Sequence, residues 1–358
     1  MKDILLVGGG KIGAMITELL ANSGDYHVTV ADHSSQALAK VGARDGVSTL
    51  ALDVTDEAAL REALNGKFAV LSAVPFNVTK YIAEGAVAAK VHYFDLTEDV
   101  ETTRHVKALA AKAGSVLMPQ CGLAPGFISV AGWHLARKFD ALDEVRLRVG
   151  ALTEFPTNRL KYNLTWSTAG LIHEYLAKCE AIVDGEMREV EPLEGHESFV
   201  LDGADYEAFN TSGGLGTLCE KLAGRVRNLN YKTVRYPGHC EILKLLIQDL
   251  GLGKDEKLLV DIFDKALPIA YQDVVLVFVS VTGTIDGALR QESYARKVYS
   301  RVDDAGRRWS AIQVTTASAI CAVLDLVREG QLPQAGFIHH DEVDFDRFLG
   351  NRFGKNYA

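Results

Sequence analysis

A chain of 358 residues is long enough for about two domains with substantial cores, and 48% hydrophobic with 24% charged residues is the balance of a globular protein. A formal net charge of -9 argues against a nucleic-acid surface, which needs clustered Lys and Arg. No apolar run approaches the roughly 20 residues of a bilayer span, so no membrane partner is expected. Five scattered cysteines (Cys121, Cys179, Cys219, Cys240, Cys321) lack Cys-x-x-Cys spacing, which fits free thiols in a reducing cytoplasm.

In chain order, Ile4–Val7 predicts a strand and Ile12–Ala21 a helix opening on glycine. The charged start and short apolar run of Met1–Val7 also resemble a signal peptide, but glycines follow where a signal would stay hydrophobic. His27–Ala31, Ser48–Leu52, Ala69–Val74, His92–Leu96 and Ser115–Pro119 predict five more strands. The helices expected between them cover Ser35–Val41, Glu57–Leu64, Val78–Ala89 and Val100–Ala113. Such alternation indicates an α/β, doubly wound parallel sheet of the Rossmann kind. After Gly122 the pattern changes: strands are expected at Glu144–Gly150, Asn230–Arg235, Val274–Thr284 and Glu292–Ser300, and helices at Thr168–Leu176 and Glu241–Leu250. This predicts a second, α+β domain over 122–314, with antiparallel β structure, for substrate binding and dimerisation. A helix over Thr315–Glu329, capped by threonine and ending at Gly330, is expected to return to the first domain, so that 1–121 and 315–358 form one body.

The run Gly8-Gly9-Gly10-Lys11-Ile12-Gly13 holds G-x-G-x-x-G spacing directly after a strand and at the mouth of a helix. Gly8 permits the tight turn, Gly10 lets backbone approach a pyrophosphate, and Gly13 allows close helix packing, while Lys11 and Ile12 open the helix whose N-terminus favours phosphate. Asp32 closes the second strand, 22 residues after Gly10, where a carboxylate accepts the ribose hydroxyls. It would repel a 2′-phosphate, and His33-Ser34-Ser35 follows rather than arginine, so NAD is expected over NADP. Asp53 and Val54 are read as either a border of the adenine or a plain strand end. Ser72, Ala73 and Pro75 are read as either nicotinamide contacts or an ordinary strand-to-helix turn.

Four blocks carry a family resemblance: Cys121-Gly122-Leu123-Ala124-Pro125-Gly126-Phe127, Leu160–Ser167, Ala208–Gly214 and Tyr231–His239. On these the chain resembles the L-lysine 6-dehydrogenases within the saccharopine dehydrogenase-like family, along essentially its whole length. Saccharopine-forming relatives carry an acid where this chain has Ala124, and a cysteine in the next strand, where Arg146–Gly150 has none. Free lysine is therefore favoured over the bulkier lysine–glutarate adduct. The resemblance implies oxidation of the L-lysine ε-amine by NAD to an imine, which hydrolyses to 2-aminoadipate 6-semialdehyde and ammonia. It also implies a homodimer. A saccharopine or carboxynorspermidine-type dehydrogenase and a non-catalytic NAD-sensing regulator are the alternatives.

An alkylammonium is almost wholly protonated at neutral pH and has no lone pair to expel hydride, so a base is needed. Asp95 resembles an acid at the same point of the lysine dehydrogenases and is one option; the other reading of the Asp95–Asp99 cluster is complement to a helix dipole. His239, after Tyr236-Pro237-Gly238, is either a proton shuttle or a helix cap. For the α-carboxylate, Arg235 offers a planar fork, Thr211 and Ser212 a glycine turn, and Tyr162, Asn163 and Ser167 hydroxyl and amide contacts. His173-Glu174 reads as a solvated helical pair. His339-His340 lacks a third ligand nearby, so no metal is expected.

Overall fold

Strand β1 (Lys2–Val7) is buried from Ile4 onward, on both faces. Continuous burial of this kind marks the interior of a parallel sheet covered by helices on either side. In the computed structural model, which describes every residue except Tyr271 and Asp304, β1 pairs in parallel with β2 (Tyr26–Asp32) on one side. On the other it pairs in parallel with β4 (Ala69–Ser72). With β3 (Val47–Ala51), β5 (His92–Asp95) and β6 (Val116–Met118) the order across the sheet is β6-β5-β4-β1-β2-β3. Strand order reverses at β1, and the split between β1 and β4 at their carboxyl ends is where such sheets bind ligands. The intervening helices are α1 (Lys11–Asn22), α2 (Ser35–Val41), α3 (Glu57–Leu64), α4 (Phe76–Ala89) and α5 (Val100–Ala110). Leu5, Val70, Tyr93 and Leu117 from the sheet pack with Leu60, Ile82, Ala86 and Val106 from α3 to α5. Each fully buried aliphatic chain of this sort is worth about 1.5–3 kcal/mol.

The chain divides into two units, Met1–Phe127 with Thr315–Ala358, and Ile128–Val314. In the first, Gly336–Phe337 adds a seventh parallel strand beside β6. This strand was not expected from sequence, because two residues carry no periodicity. The C-terminal segment is tied down by Asp325, which is buried and accepts from Tyr26 Oη (2.6 Å), Arg328 Nε (2.8 Å), Asn351 Nδ2 (2.9 Å) and Arg352 Nη2 (2.8 Å).

In the second unit the sheet order is β10-β11-β12-β7-β13-β14, with the β8–β9 hairpin alongside β12. The strands are β7 (Ala141–Thr153), β8 (Cys179–Val183), β9 (Glu186–Val190), β10 (Glu197–Leu201), β11 (Ala204–Asn210), β12 (Val226–Arg235), β13 (Asp273–Ile285) and β14 (Ala288–Tyr299). The pairing is antiparallel apart from β12 with β7, which run parallel, so the sheet is mixed rather than purely antiparallel. Strands β13 and β14 are joined by Asp286-Gly287, both at positive φ (50° and 72°), as a type I′ hairpin turn requires.

Two helices differ from expectation. The last long helix spans Ala311–Arg328 and starts four residues before Thr315. Its first N–H groups are satisfied by Asp273, which accepts from Ala311 N (2.6 Å) and Ile312 N (3.1 Å). It is long and apolar enough, by length and composition, to cross a membrane, but 83% of it is buried inside the structure. The helix expected at Glu241–Leu250 is an α-helix over His239–Lys244 that widens into a π-turn over Leu245–Asp249. There Leu250 N donates to Leu245 O, five residues back (2.9 Å). The five cysteines are all buried and unpaired.

Candidate active site

In the first unit, the glycine loop lies at the switch point. Gly8 is at φ +107°, and a Cβ there would press on the Ala73 carbonyl, so β1 and β4 approach through this glycine. A Cβ on Gly13 would overlap the Gly8 carbonyl oxygen, which fixes α1 against the loop. Around Gly10, by contrast, a Cβ would meet nothing within 4 Å. Helix α1 begins there without a side-chain cap, so space and a helix N-terminus coincide at Gly10, Lys11 and Ile12. The Asp32 carboxylate accepts from Gly9 N (2.7 Å) and Ser34 N (2.8 Å), one bond on each oxygen. Each oxygen keeps a second acceptor site, enough for a pair of ribose hydroxyls. These residues fit a dinucleotide.

Other expected cofactor contacts are placed differently. Val54 is in the hydrophobic core, and exposed Asp53 holds Thr55 by its N–H (2.9 Å) and hydroxyl (2.7 Å), bonds that lower its pKa. They lie beyond the end of β3, as a turn. Ser72 is buried with its hydroxyl 3.3 Å from that of Thr79, so its side chain turns into the fold. Ala73 and exposed Pro75 flank the glycine loop, and Ala73 N donates to Val7 O (2.8 Å).

Asp95 has no exposed surface. Oδ2 accepts from Tyr93 Oη (2.6 Å), and Oδ1 accepts from Thr97 N and Gln120 N (both 2.9 Å). Burial outweighs these bonds and raises its pKa to about 6. Its oxygens face the protein and join the turn after β5 to the turn after β6. Gln120, which sequence reasoning did not single out, sits at φ +61° with its side-chain oxygen buried and without a hydrogen-bond partner. Asp99 N-caps α5 through Thr102 N (2.7 Å).

In the second unit, Arg235 at the end of β12 is 2% exposed. Its Nε donates to Tyr175 Oη (3.0 Å) and Nη1 to Val234 O (2.9 Å) and Thr233 Oγ1 (3.3 Å). Its guanidinium lies over the Tyr162 ring, 5.0 Å from the centroid. Among the described residues, no carboxylate forms an ion pair with it. The other buried arginine of this sheet, Arg148, has Glu197 at 2.5 Å, and Lys232 reaches the same carboxylate at 2.8 Å. Burial would raise Glu197, but the two cations outweigh it and hold its pKa at about 2. Burial would lower the Arg235 pKa, but Tyr175, Tyr162 and Glu174 outweigh it and raise it, which leaves a cation able to meet a ligand anion.

Thr211 is buried with no partner for its hydroxyl, and Ser212 N donates to Glu174 O (3.2 Å). Gly214 lies flat against Tyr231, whose ring would overlap any Cβ there. Glu174 is buried, not solvated as expected, and its charge reaches Arg235, Tyr162, Tyr175 and Tyr231. Helical spacing held the signal, since Glu174 shares a face with Leu171 and Tyr175.

Three other expected site residues have partners within the protein. His239 is buried, with Nδ1 2.9 Å from Leu160 O and Nε2 3.1 Å from Tyr175 Oη. Burial first, and then Arg235, lower its pKa to about 3. Exposed Ser167 caps the helix Thr168–Leu176, accepting from Gly170 N (3.2 Å). Asn163 accepts from Asn158 Nδ2 (3.1 Å) and Thr157 Oγ1 (3.4 Å) within its own loop.

Comparison with known proteins gives two family matches, the saccharopine dehydrogenase NADP binding domain over residues 4–118 and the saccharopine dehydrogenase C-terminal domain over 122–353. The L-glutamate-forming, NADP(+) saccharopine dehydrogenases of Saccharomyces cerevisiae and Pyricularia oryzae are 26% and 24% identical over 79% and 72% of this chain. The chain spans 65% and 59% of the length of those relatives. Among solved structures, the apo L-Glu-forming saccharopine dehydrogenase of S. cerevisiae aligns with a TM-score of 0.80 at 18% identity, covering 98% of this chain and 96% of that one. Homospermidine synthase from Legionella pneumophila, in complex with NAD, aligns at 0.70 and 14%, covering 99% and 89%. At these identities the likeness is one of fold.

Proposed function

Because the chain belongs to the saccharopine dehydrogenase family, we propose that it is an NAD-dependent dehydrogenase that oxidises the ε-amine of L-lysine. The observation that carries the substrate half is Arg235, a buried cation with room in its hydrogen bonding for one carboxylate. Saccharopine carries three carboxylates, and lysine one. Glu174 supplies negative charge beside Arg235, suited to the α-ammonium of the same amino acid. A nicotinamide dinucleotide held at the glycine loop would supply the hydride acceptor for the ε-carbon, once a base has taken a proton from the ε-ammonium. Gly8, Gly10 and Gly13 shape the pyrophosphate turn, α1 offers its N-terminus, and Asp32 takes the ribose hydroxyls, a choice that favours NAD over NADP. Released water-labile imine hydrolyses to 2-aminoadipate 6-semialdehyde and ammonia. A homodimer joined through residues 128–314 and a cytoplasmic location complete the proposal; a monomer in sedimentation would remove the first.

The test is reduction of NAD or NADP with L-lysine, saccharopine or 1,5-diaminopentane, read at the absorbance of reduced cofactor. Lysine with NAD is expected to give the largest kcat/KM. Arg235→Lys keeps the charge but loses the fork, and is expected to raise KM for lysine about tenfold or more, with kcat little changed. Turnover on saccharopine alone would support the second reading, favoured by the names of the relatives. Cofactor binding without turnover on any amine would leave a nucleotide sensor.

A further inference from the structure

His239 moves no proton in this reading, yet it is buried beside the anion site, stacked on Phe209 at 13° and edge-on to Tyr162 with centroids 5.5 Å apart. The direction of every hydrogen bond around it follows from chemistry. The Leu160 carbonyl, 2.9 Å from Nδ1, can only accept, so Nδ1 carries the hydrogen. A neutral ring has one N–H, which leaves Nε2 as acceptor and makes the Tyr175 hydroxyl, 3.1 Å away, the donor. With its single hydrogen committed, Tyr175 Oη meets Arg235 Nε at 3.0 Å as acceptor.

We propose that His239 is a positioning residue for the carboxylate anchor: it turns the Tyr175 hydroxyl away from the ligand, so that Tyr175 accepts from Arg235 Nε and holds the guanidinium plane for an incoming carboxylate. This rests on the reading of Arg235 as that anchor. Without His239, the Tyr175 hydrogen is free to swing, and the hydroxyl competes with the ligand instead of steadying the arginine.

His239→Leu offers Tyr175 no acceptor, whereas His239→Gln presents an amide oxygen. In the full chain with saturating NAD, His239→Leu is expected to raise KM for L-lysine roughly tenfold while kcat changes less than about threefold. His239→Gln should recover most of the loss, and Tyr175→Phe should match His239→Leu. The double variant should be no worse than either single one, since both cut the same chain. Equal damage from Gln and Leu, full additivity, or a collapse of kcat would overturn the proposal. A second measurement does not depend on the substrate. In protein labelled with 15N-histidine, the resonance lost in His239→Gln should report a protonated Nδ1 and bare Nε2 that stay unchanged between about pH 6 and 8.5. A ring that titrates in that range, or an Nε2–H tautomer, overturns it. If calorimetry shows binding of saccharopine or 2-oxoglutarate but not lysine, the lysine reading alone falls and the same KM series on saccharopine decides. If none of the three binds, anchor and positioning role fall together.

Discussion

A fully buried carboxylate titrates by the balance of burial against its hydrogen bonds, and for Asp95 burial wins. Its folded pKa, about 6, lies above the unfolded 3.8, so the folded state holds the extra proton between these values. The contribution to stability is whole below about pH 3.8 and declines as pH rises to about 6, by about 3 kcal/mol at 1.36 kcal/mol per unit. Asp95→Asn has nothing to ionise. Denaturant melts at pH 4.5 and 7 are expected to show about 2 kcal/mol of that decline in the parent and none in the variant, and kcat is expected to stay within about threefold of the parent. A fall of kcat by orders of magnitude would assign Asp95 as the base. The residues around it show the limit of sequence reasoning: a strand-terminal acid looks the same whether its oxygens face a substrate or the N–H of Gln120, 25 positions on.

At the scale of elements, local signals were the readable ones. The helix Thr168–Leu176 follows directly from a Ser cap and an apolar face. Ser167→Ala is expected to lower stability by about 1 kcal/mol and leave KM for lysine unchanged; a raised KM with unaltered stability would return Ser167 to substrate binding. The start of Ala311–Arg328 was not legible, because its cap is Asp273, 38 residues upstream. Nor was the π-turn after Lys244, which depends on tertiary packing rather than a residue type. The strands of the first sheet were readable as runs such as Ile4–Val7, buried on both faces, whereas the parallel pairing of β12 with β7 inside a mainly antiparallel sheet leaves no mark on either strand.

The whole molecule is held by contacts distant in sequence, and Asp325 is the clearest in the first unit. Burial would raise its pKa, but Arg352, Arg328, Tyr26 and Asn351 outweigh it and bring it to about 2, below the unfolded 3.8. Its stabilisation is therefore full above about pH 4 and lost as pH falls toward 2. Asp325→Asn leaves two arginines facing a neutral group, and is expected to cost about 3 kcal/mol in urea melts; a loss below about 0.5 kcal/mol would show the network to be dispensable. Arg235 has the opposite character: a buried cation in no ion pair, steadied by the Tyr175 hydroxyl and by the charge of Glu174. Any anion that seats on it should raise the melting temperature, by RT ln(1 + [L]/Kd) in free energy, or about 2.7 kcal/mol at a hundredfold excess over Kd. The same carboxylates should leave the melting of an Arg235→Met variant unmoved. Heat resistance then reports ligand identity directly, and a panel of amino acids can be ranked in a thermal scan before any turnover is found.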